Sequence, residues 1–224
     1  MTDTPTDSLD PLRRDLLAAA LTHIPFDGWS EISLHKAARD IGASRGAADM
    51  AFPGGARDLL DCFARDADAR MLARAGEQAI GAMRMRDRIR AVVKARLESV
   101  AGHKEAERRA IGFLALPQNA ALGVRLVQRT VDLMWRAAGD TSTDFAFYTK
   151  RATLAGVYSA TLLCWMADSS EDGADTWGFL DRRIDNVMEF EKAKARFRER
   201  IKDTPSLASL LSRLRYPGET RMKP

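Results

Sequence analysis

The sequence predicts an all-α protein, and two features of the residue pattern lead to that prediction. Apolar residues recur every three or four positions over long stretches, as they do along one face of a helix, and few runs alternate with a period of two. The 15 glycines and 8 prolines cluster between those stretches, where they would end helices. With 46% apolar residues among 224, the chain can bury a full core in one large helical domain or two small ones.

Four helices are predicted in the first part of the chain. The first begins near Asp10, with Pro11 at its first helical position, and a turn over residues 25–29 follows it. Two short helices then lie on either side of a break at Gly42. Short helices joined by a tight glycine turn and flanked by longer ones are typical of the helix-turn-helix pattern. The predicted ranges are 10–23, 33–41 capped by Ser33, 44–52 capped by Ser44, and a helix from Ala56 onward.

Five longer helices are predicted after residue 64. Each combines an apolar stripe at helical spacing with a capping residue before it or a breaker after it. Pro117, for example, stops the helix that precedes it, because proline cannot continue a helix without losing a hydrogen bond. The first of these helices is marked by Ile89, Val92, Val93, Leu97 and Val100. The predicted ranges of the others are 105–116, 120–138 capped by Asn119, 145–167, and 176–202 capped by Asp175.

The helix predicted over residues 145–167 is apolar on two sides. At about 100° per residue, one stripe holds the larger side chains and the opposite side holds small ones such as Ala155, Gly156 and Ser159. A helix that is apolar on both faces must be covered on both. Two interpretations stay open: an ordinary core helix, or one face on a cavity and the other on a neighbouring helix or a second subunit. The larger stripe consists of Leu154, Val157, Tyr158, Thr161, Leu162 and Trp165.

The end of the chain predicts a short amphipathic helix over residues 204–216. Thr204 and Pro205 form a typical helix start, and four leucines then fall within an arc of about 100°. Over residues 191–224 ten basic residues stand against four acidic ones, which suggests an anionic partner surface. These features are typical of an interfacial membrane anchor, while packing on the same domain or on a twin subunit stays open. The residues assigned to membrane contact are Phe197, Ile201, Leu207, Leu210, Leu211 and Leu214.

The sequence predicts neither an enzyme nor a metal protein. The three histidines lie on different predicted helices, none with a second ligand at metal-binding spacing, and no catalytic motif is recognisable. No run of 18 apolar residues and no signal peptide are present, and the two cysteines, Cys62 and Cys164, lie far apart. We therefore expect a cytoplasmic protein without a cofactor.

The helix-turn-helix pattern makes a ligand-responsive transcriptional repressor the alternative function. Residues 44–52 occupy the place of a recognition helix, with Arg45 as its basic residue and Asp49 close by. Over residues 31–58 four basic residues are cancelled by four acidic ones. Because DNA affinity rests largely on an excess of basic groups against phosphates, we expect no DNA binding.

The N-terminal pattern resembles the TetR family of regulators, and the second half resembles a narrower family. Several short motifs there are similar, in order, to those of the ubiquinone-biosynthesis accessory family known as Coq-nine. The resemblance covers residues 10–190 and is densest over 114–190. The motifs are LPQN at 116–119, MWRAAGDTSTDF at 134–145, YTKRA at 148–152, DSS at 168–170 and DTWGFL at 175–180.

This resemblance implies a TetR-like fold, a homodimer, and an apolar pocket for an isoprenoid or a phospholipid. It implies a protein that presents a polyprenyl quinone intermediate to a di-iron demethoxy-quinone hydroxylase, or an equivalent hydroxylase, at the inner membrane. That role requires the helices to enclose an apolar chamber. The implied pocket residues are Phe113, Met134, Phe145, Leu154, Val157, Tyr158, Leu162 and Trp165, and the implied partner-binding residues are Leu116, Pro117, Asn119 and Trp135. The implied regions are 9–63 (helix-turn-helix-like), 64–203 (lipid binding and dimerisation) and 204–216 (membrane association).

Overall fold

The computed structural model describes residues 11–78, 80–141 and 145–202, without the side chains of residues 145–146 and 190–202. Over these residues the chain forms nine α-helices and four short 3-10 helices, which confirms the all-α prediction. The 3-10 turns lie in the connections, as is usual for this tighter helix. The helices are α1 Pro11–Asp27, α2 Glu31–Asp40, α3 Arg45–Ala51, α4 Ala56–Glu77, α5 Met85–Glu98, α6 Lys104–Leu114, α7 Ala120–Ala137, α8 Phe145–Ala167 and α9 Ala174–Lys202.

The first helix is longer than predicted. The turn expected over residues 25–29 was wrong, because α1 continues through Pro25 to Asp27. Gly28, at φ +70°, ends the helix instead, and its N–H donates to the Ile24 carbonyl over 2.9 Å. Glycine adopts this left-handed conformation without a steric penalty, so the chain can turn sharply into α2.

The cap of α2 also differs from the prediction. Ser30, and not Ser33, holds the N-cap position, and its hydroxyl accepts from the Ser33 N–H over 3.3 Å. Ser33 lies inside α2, where its hydroxyl donates to the Gly28 carbonyl over 2.7 Å. The predicted cap of α3 is confirmed, since the Ser44 hydroxyl accepts from the Ala47 N–H over 3.1 Å.

The side chains of Asn119 and Asp175, which were predicted to cap α7 and α9, take other roles. Asn119 holds the N-cap position of α7, but its side chain makes no capping bond. At the start of α9 the capping carboxylate is Asp168, which accepts from the Thr176 N–H over 2.9 Å and also from the Thr176 hydroxyl. Asp175, the predicted cap, is exposed. In both cases the chain folds back through a 3-10 turn that changes which side chain reaches the helix end.

The helix-turn-helix-like region is continuous with the rest of the core. The boundary predicted between residues 63 and 64 falls inside α4. The buried Trp29, between α1 and α2, donates its indole N–H to the Ala106 carbonyl in α6 over 3.0 Å, and its ring packs on Phe63 in α4. This contact ties the N-terminal helices to the helices that enclose the candidate site.

The chain divides into two compact units. The first, Met1–Asp181, contains α1 to α8 and the first residues of α9. The second, Arg182–Pro224, contains the rest of α9 up to Lys202. Within the described residues no single helix is both long and apolar enough to cross a membrane, while a bent pair, Ala101–Leu114 with Pro117–Ala137, passes on length and composition alone.

Candidate functional site

A small cavity lies among five helices of the first unit, α4 to α8. Its volume is about 70 Å³. Its walls are mostly apolar, with four polar side chains contributed by α5, α6, α7 and α8. The lining residues are Leu60, Phe63, Ala64, Arg96, Glu107, Ala110, Ile111, Leu114, Leu126, Val127, Thr130, Tyr158 and Leu162.

A larger depression of about 370 Å³ lies beside α5, but its lining does not suit an apolar ligand. Charged side chains dominate it, and three of the four are paired with one another or with neighbours. Arg90 Nε lies 2.7 Å from the Asp181 carboxylate, and Lys94 Nζ lies 3.6 Å from that of Glu98. We therefore take the smaller cavity as the candidate site.

The polar side of the cavity is organised by one buried carboxylate, Asp68 of α4. Its Oδ1 accepts from Arg96 Nε over 3.2 Å and from the Thr130 hydroxyl over 2.9 Å. Its Oδ2 accepts from Arg129 Nε over 3.2 Å. Arg129 also donates to Asp61 over 2.6 Å, so the network continues towards the surface. A buried charge is stable only when it is paired and hydrogen-bonded, and Asp68 meets both conditions.

Two further polar groups face the cavity without such partners. Glu107 of α6 and Tyr158 of α8 are buried, and neither side chain forms a hydrogen bond within the described part of the chain. Burial raises the pKa of the Tyr158 hydroxyl above its ordinary range, so this group keeps its proton. Nη1 of the buried Arg96 also lacks an acceptor. The lining of the cavity therefore includes unused donors and acceptors.

Glu107 is expected to make stability depend on pH. Burial raises the pKa of its carboxyl above the ordinary value of 4.5; the charge of Arg96 opposes that change and the charge of Asp68 adds to it. The folded chain favours the protonated form of Glu107. The stability that this preference contributes is present below pH 4.5 and is lost as the pH rises through the folded pKa of the carboxyl. Each unit by which folding raises the pKa of Glu107 corresponds to about 1.4 kcal/mol of unfolding free energy.

The matched variant for this prediction is Glu107→Gln, which resembles the neutral carboxyl. In urea unfolding from pH 4.5 to 8, the wild type should lose stability relative to the variant as the pH rises. A difference in unfolding free energy that stays constant across this range would show that Glu107 is not perturbed by burial.

The structure brings only part of the predicted pocket set to the cavity. Tyr158 and Leu162 line it. Met134, Leu154, Val157 and Trp165 are buried in the core outside its lining, and Phe113 is half-buried. The side chain of Phe145 lies outside the described residues. The stripe on α8 thus packs mainly as core, and only its middle reaches the cavity.

The residues that the prediction missed come from the other helices around the cavity. Arg96 and Glu107 carried a readable signal, because both lie on otherwise apolar helix faces. Arg96 follows Val92 by four positions and precedes Val100 by four. A charged residue at such a position must be buried with a partner or must serve a site.

Two of the predicted partner-binding residues are exposed at the corner between α6 and α7. Leu116 is 44% exposed, and Pro117 is also exposed. Asn119 is buried, and both atoms of its amide form a hydrogen bond: Oδ1 accepts from Arg57 Nε over 2.8 Å, and Nδ2 donates to the Phe113 carbonyl over 2.9 Å. Asn119 therefore holds the corner in place, and its partner-binding role stays a prediction.

Trp135, the fourth predicted partner residue, lies towards the other end of α7. Fifteen residues separate it from Ala120, which is about 22 Å along a helix. It is half-buried, and its indole N–H donates to the Lys150 carbonyl over 3.1 Å. The exposed residues Val124 and Gln128 lie between the corner and Trp135. Gln128 follows Val124 by four positions and precedes Trp135 by seven, so the three residues share one face of α7.

The outer face of α8 is open in the single chain. Five residues spaced by four, four, three and four positions form a stripe along this face. Tyr148 is 70% exposed and Leu163 is 58% exposed, while a side chain at Gly156 would meet open space. The stripe consists of Tyr148, Ala152, Gly156, Ser159 and Leu163.

The region that would read DNA has part of its charges paired. His35 of α2 lies 2.8 Å from the Asp49 carboxylate in α3, and Lys36 lies 2.7 Å from that of Asp27. Arg57 is bound to Asn119, as described above. Met50, on the short α3, is 83% exposed. Arg39 and Arg45 form no ion pair within the described residues, but the four acidic residues over 31–58 balance the four basic ones, so no excess positive charge faces phosphates.

The side chains predicted to contact a membrane lie outside the part of the chain that the structure describes. Phe197 and Ile201 belong to α9, but their side chains lie outside the described part, as do Leu207, Leu210, Leu211 and Leu214 altogether. Among the described residues no cluster of three or more His, Cys, Asp or Glu side chains could hold a metal ion.

The fold and its short α2–α3 pair define a TetR-like helical protein. The chain superposes on the crystal structure of a TetR transcriptional regulator from Nitrosomonas europaea with a TM-score of 0.65, covering 78% of this chain and 97% of that one, at 24% identity. This likeness concerns the fold. Residues 120–191 match the family model described as COQ9. The chain belongs to the COQ9 family, the Coq-nine family that its motifs resemble.

Two relatives illustrate the match. The rat protein named "Ubiquinone biosynthesis protein COQ9, mitochondrial" is 37% identical over 192 residues, which cover 81% of this chain and 60% of the rat protein. The human protein of the same name is 35% identical over 189 residues, which cover 81% of this chain and 59% of the human protein. The chain thus spans about 60% of the length of these relatives.

Proposed function

We propose that this chain is a lipid-binding accessory protein of ubiquinone biosynthesis, without catalytic activity of its own. In this role it presents a polyprenyl quinone intermediate to a hydroxylase at the membrane. The names of the relatives support the pathway. The observation that carries the binding role is the cavity, which combines apolar walls with unused polar groups. A cavity of that character suits a molecule with an oxygenated head and a hydrocarbon tail.

The size of the cavity limits how such a lipid could be held. At about 70 Å³ it has about half of the roughly 150 Å³ that admits benzene, so an isoprenoid tail does not fit in this conformation. Four of the apolar lining residues are only half-buried: Ile111 and Leu114 of α6, Val127 of α7 and Leu162 of α8. The tail therefore enters only if these helices separate where those side chains meet.

Mass spectrometry of an organic extract of the purified full chain tests this function. We expect an isoprenoid lipid at near-stoichiometric amount, and saturable binding when lipid-free protein is titrated with ubiquinone carrying a short tail. The proposal fails if the extract contains no lipid and the titration shows no binding. A parallel extract of an unrelated helical protein of similar pI controls for adhering membrane lipid.

The partner in this proposal is a di-iron demethoxy-quinone hydroxylase, or an equivalent hydroxylase of the pathway. The candidate surface runs from Leu116 and Pro117 along the exposed face of α7, through Val124 and Gln128, to Trp135. Exposed apolar groups beside polar ones are typical of interfaces that form and dissociate. Its position beside α7, a wall of the cavity, would place a hydroxylase close to the bound lipid.

A homodimer would cover the outer stripe of α8. Leu163→Glu should shift the protein to the monomer and raise the dimer dissociation constant about tenfold or more, because a two-fold interface brings the two glutamates near each other. Light scattering after size exclusion measures the mass. Val124→Glu is the matched control, since Val124 is equally exposed at 58% but lies on α7. If Leu163→Glu keeps the wild-type mass at every concentration, this face is not the dimer interface.

Membrane association remains part of the proposal for the basic end of the chain. We propose that residues 204–216, with Phe197 and Ile201 before them, meet the leaflet of the inner membrane from the cytoplasmic side. Removing residues 204–224 should abolish flotation with anionic liposomes and leave the helical circular dichroism signal of the core in place. Unchanged flotation of the shortened chain rejects this role.

The alternative function is a TetR-type ligand-responsive repressor, which the α2–α3 pair and the fold favour. The balance of four basic and four acidic residues over 31–58 argues against it. A salt-titrated DNA-binding assay with pooled genomic fragments separates the two functions, because a repressor binds its operator with a steep salt dependence. Tight, salt-sensitive binding to a defined fragment would favour the repressor.

A further inference from the structure

Trp135 of α7 is held by one residue of α8, Lys150, through two separate groups. The indole N–H donates to the Lys150 carbonyl over 3.1 Å, and the Lys150 ammonium lies over the ring, 5.6 Å from the ring centroid. The first contact fixes the edge of the indole, and the second is a cation–π contact with one of its faces. The half-buried ring therefore has a set orientation in the folded chain.

The Lys150 ammonium is in turn fixed by a buried carboxylate. Its Nζ lies 2.7 Å from Asp140 Oδ1, and the Asp140 side chain is only 4% exposed. The other oxygen of Asp140 lies 3.3 Å from Arg151 Nη1, and Arg151 also lies 2.8 Å from the Asp132 carboxylate on α7. Loss of these cations would leave the Asp140 charge buried without compensation, so the pair with Lys150 is held firmly.

The side chain of Asp140 is not needed to close the end of α7, because the backbone does this. The N–H of Gly139 donates to the Arg136 carbonyl and that of Asp140 to the Trp135 carbonyl, each over 2.9 Å. Gly139 adopts the left-handed conformation, at φ +86°, that commonly ends a helix. The Asp140 carboxylate acts instead on Lys150, and through it on the ring of Trp135.

The contacts of the indole also define what a partner can bind. Its one polar group, the N–H, already has an acceptor, and one face of the ring meets the Lys150 ammonium. What the ring offers to a partner is apolar surface, which an apolar pocket matches and a hydrogen-bond acceptor does not. Tryptophan is enriched among the interface residues that contribute most to binding, and these residues commonly fill such pockets.

We propose that Asp140 and Lys150 are positioning residues that fix the indole of Trp135 as the anchor of the docking surface on α7, where it fills an apolar pocket of the partner. This inference rests on the partner-binding role proposed above for the face from Leu116 to Trp135. It adds that Lys150 acts through the tryptophan ring and does not touch the partner. The Asp140 carboxylate acts one step further back, through Lys150.

The test is a double-mutant cycle on the binding of the full chain to the demethoxy-quinone hydroxylase of the same organism, purified in detergent and measured by biolayer interferometry. Lys150→Met removes the ammonium and keeps the backbone carbonyl and the apolar part of the side chain. It is measured in the wild-type chain and in Trp135→Ala, beside Asp140→Asn. Lys94→Met is the matched control, because the Lys94 ammonium lies over the ring of Trp177, 5.0 Å from its centroid. Thermal unfolding establishes that each variant is folded, and if Asp140→Asn does not fold, the Lys150 variants decide alone.

We expect Trp135→Ala to raise the dissociation constant for the hydroxylase at least about 30-fold, as the loss of an interface anchor does. Lys150→Met and Asp140→Asn should each raise it about 3- to 10-fold, because the ring must then be ordered on binding. Lys150→Arg, which keeps the cation, should stay within about twofold of the wild type, and Lys94→Met should have no effect. In the Trp135→Ala chain Lys150→Met should have no further effect, because its action passes through the missing ring.

The possible contrary results separate this inference from the proposed function. If Lys150→Met and Asp140→Asn bind as tightly as the wild type while Trp135→Ala does not, the positioning role is overturned and the docking surface stands. If Lys150→Met weakens binding equally with and without Trp135, Lys150 touches the partner itself, and the inference is overturned as well. Wild-type affinity of Trp135→Ala shows that the indole is not the anchor. If the wild type does not bind the hydroxylase, the partner function itself fails.

Discussion

Asp68→Ala should destabilise the protein by about 3–5 kcal/mol, the largest loss expected from a single polar substitution in this chain. Asp68 is 2% exposed and accepts hydrogen bonds from Arg96, Arg129 and Thr130. Without it, the buried guanidinium of Arg96 loses the counter-ion to which it is hydrogen-bonded. Arg129 is affected less, because it keeps Asp61 at 2.6 Å. Urea unfolding followed by circular dichroism measures the loss.

A double variant separates the cost of an unpaired charge from the value of the pair. Asp68→Leu combined with Arg96→Met replaces the ion pair by apolar groups, and it should recover most of the stability lost in Asp68→Leu alone. Asp66→Ala is the control, since Asp66 forms an i,i+4 pair with Arg70 on a half-exposed face, and such pairs contribute at most about 0.5 kcal/mol. If Asp68→Ala costs no more than this control, the buried network does not stabilise the fold.

Phe63→Ala should cost about 3–5 kcal/mol, the usual range for emptying a buried aromatic site. Phe63 is 1% exposed and packs on Trp29, with the ring centroids 5.3 Å apart, and it also forms part of the cavity wall. Its loss removes the contact that joins α4 to the buried indole between α1 and α2. It also enlarges the cavity at its apolar side.

The enlargement gives this variant a second readout. Benzene should raise the melting temperature of Phe63→Ala more than that of the wild type, because an apolar cavity of sufficient size binds such a ring. Phe26→Ala is the matched control: Phe26 is 83% exposed, so its loss should change stability by less than about 0.5 kcal/mol. A Phe63→Ala protein as stable as Phe26→Ala would mean that this part of the core is loosely packed.

The sequence predicted the helices well and their ends less well. The bounds of α8, 145–167, were predicted from the capping residues at 142–144 and from the Asp-Ser-Ser at 168–170, and they are confirmed. The end of α1 and the caps of α2 and α9 were wrong, because several capping residues lie close together there and tertiary contacts decide among them. Pro25, for instance, is tolerated in the last turn of α1, where Gly28 makes the reversal.

The candidate site was less predictable than the fold. A single apolar helix suggested a pocket stripe, and of that stripe Tyr158 and Leu162 line the cavity. The cavity, however, collects side chains from five helices, and periodicity within one helix carries no information on which faces meet. Asn119 illustrates the same limit, since only the fold shows that its amide binds Arg57, 62 residues earlier in the chain.

The bridge through Asn119 has a consequence for recognition. By joining α4 to the last turn of α6, it fixes the bend at Leu116 and Pro117 before any other protein arrives. A prearranged bend does not have to be immobilised on docking, so little conformational entropy is lost when the complex forms. The hydroxylase would then meet a rigid projection, and the speed of docking would depend on orientation instead of on rearrangement of this corner.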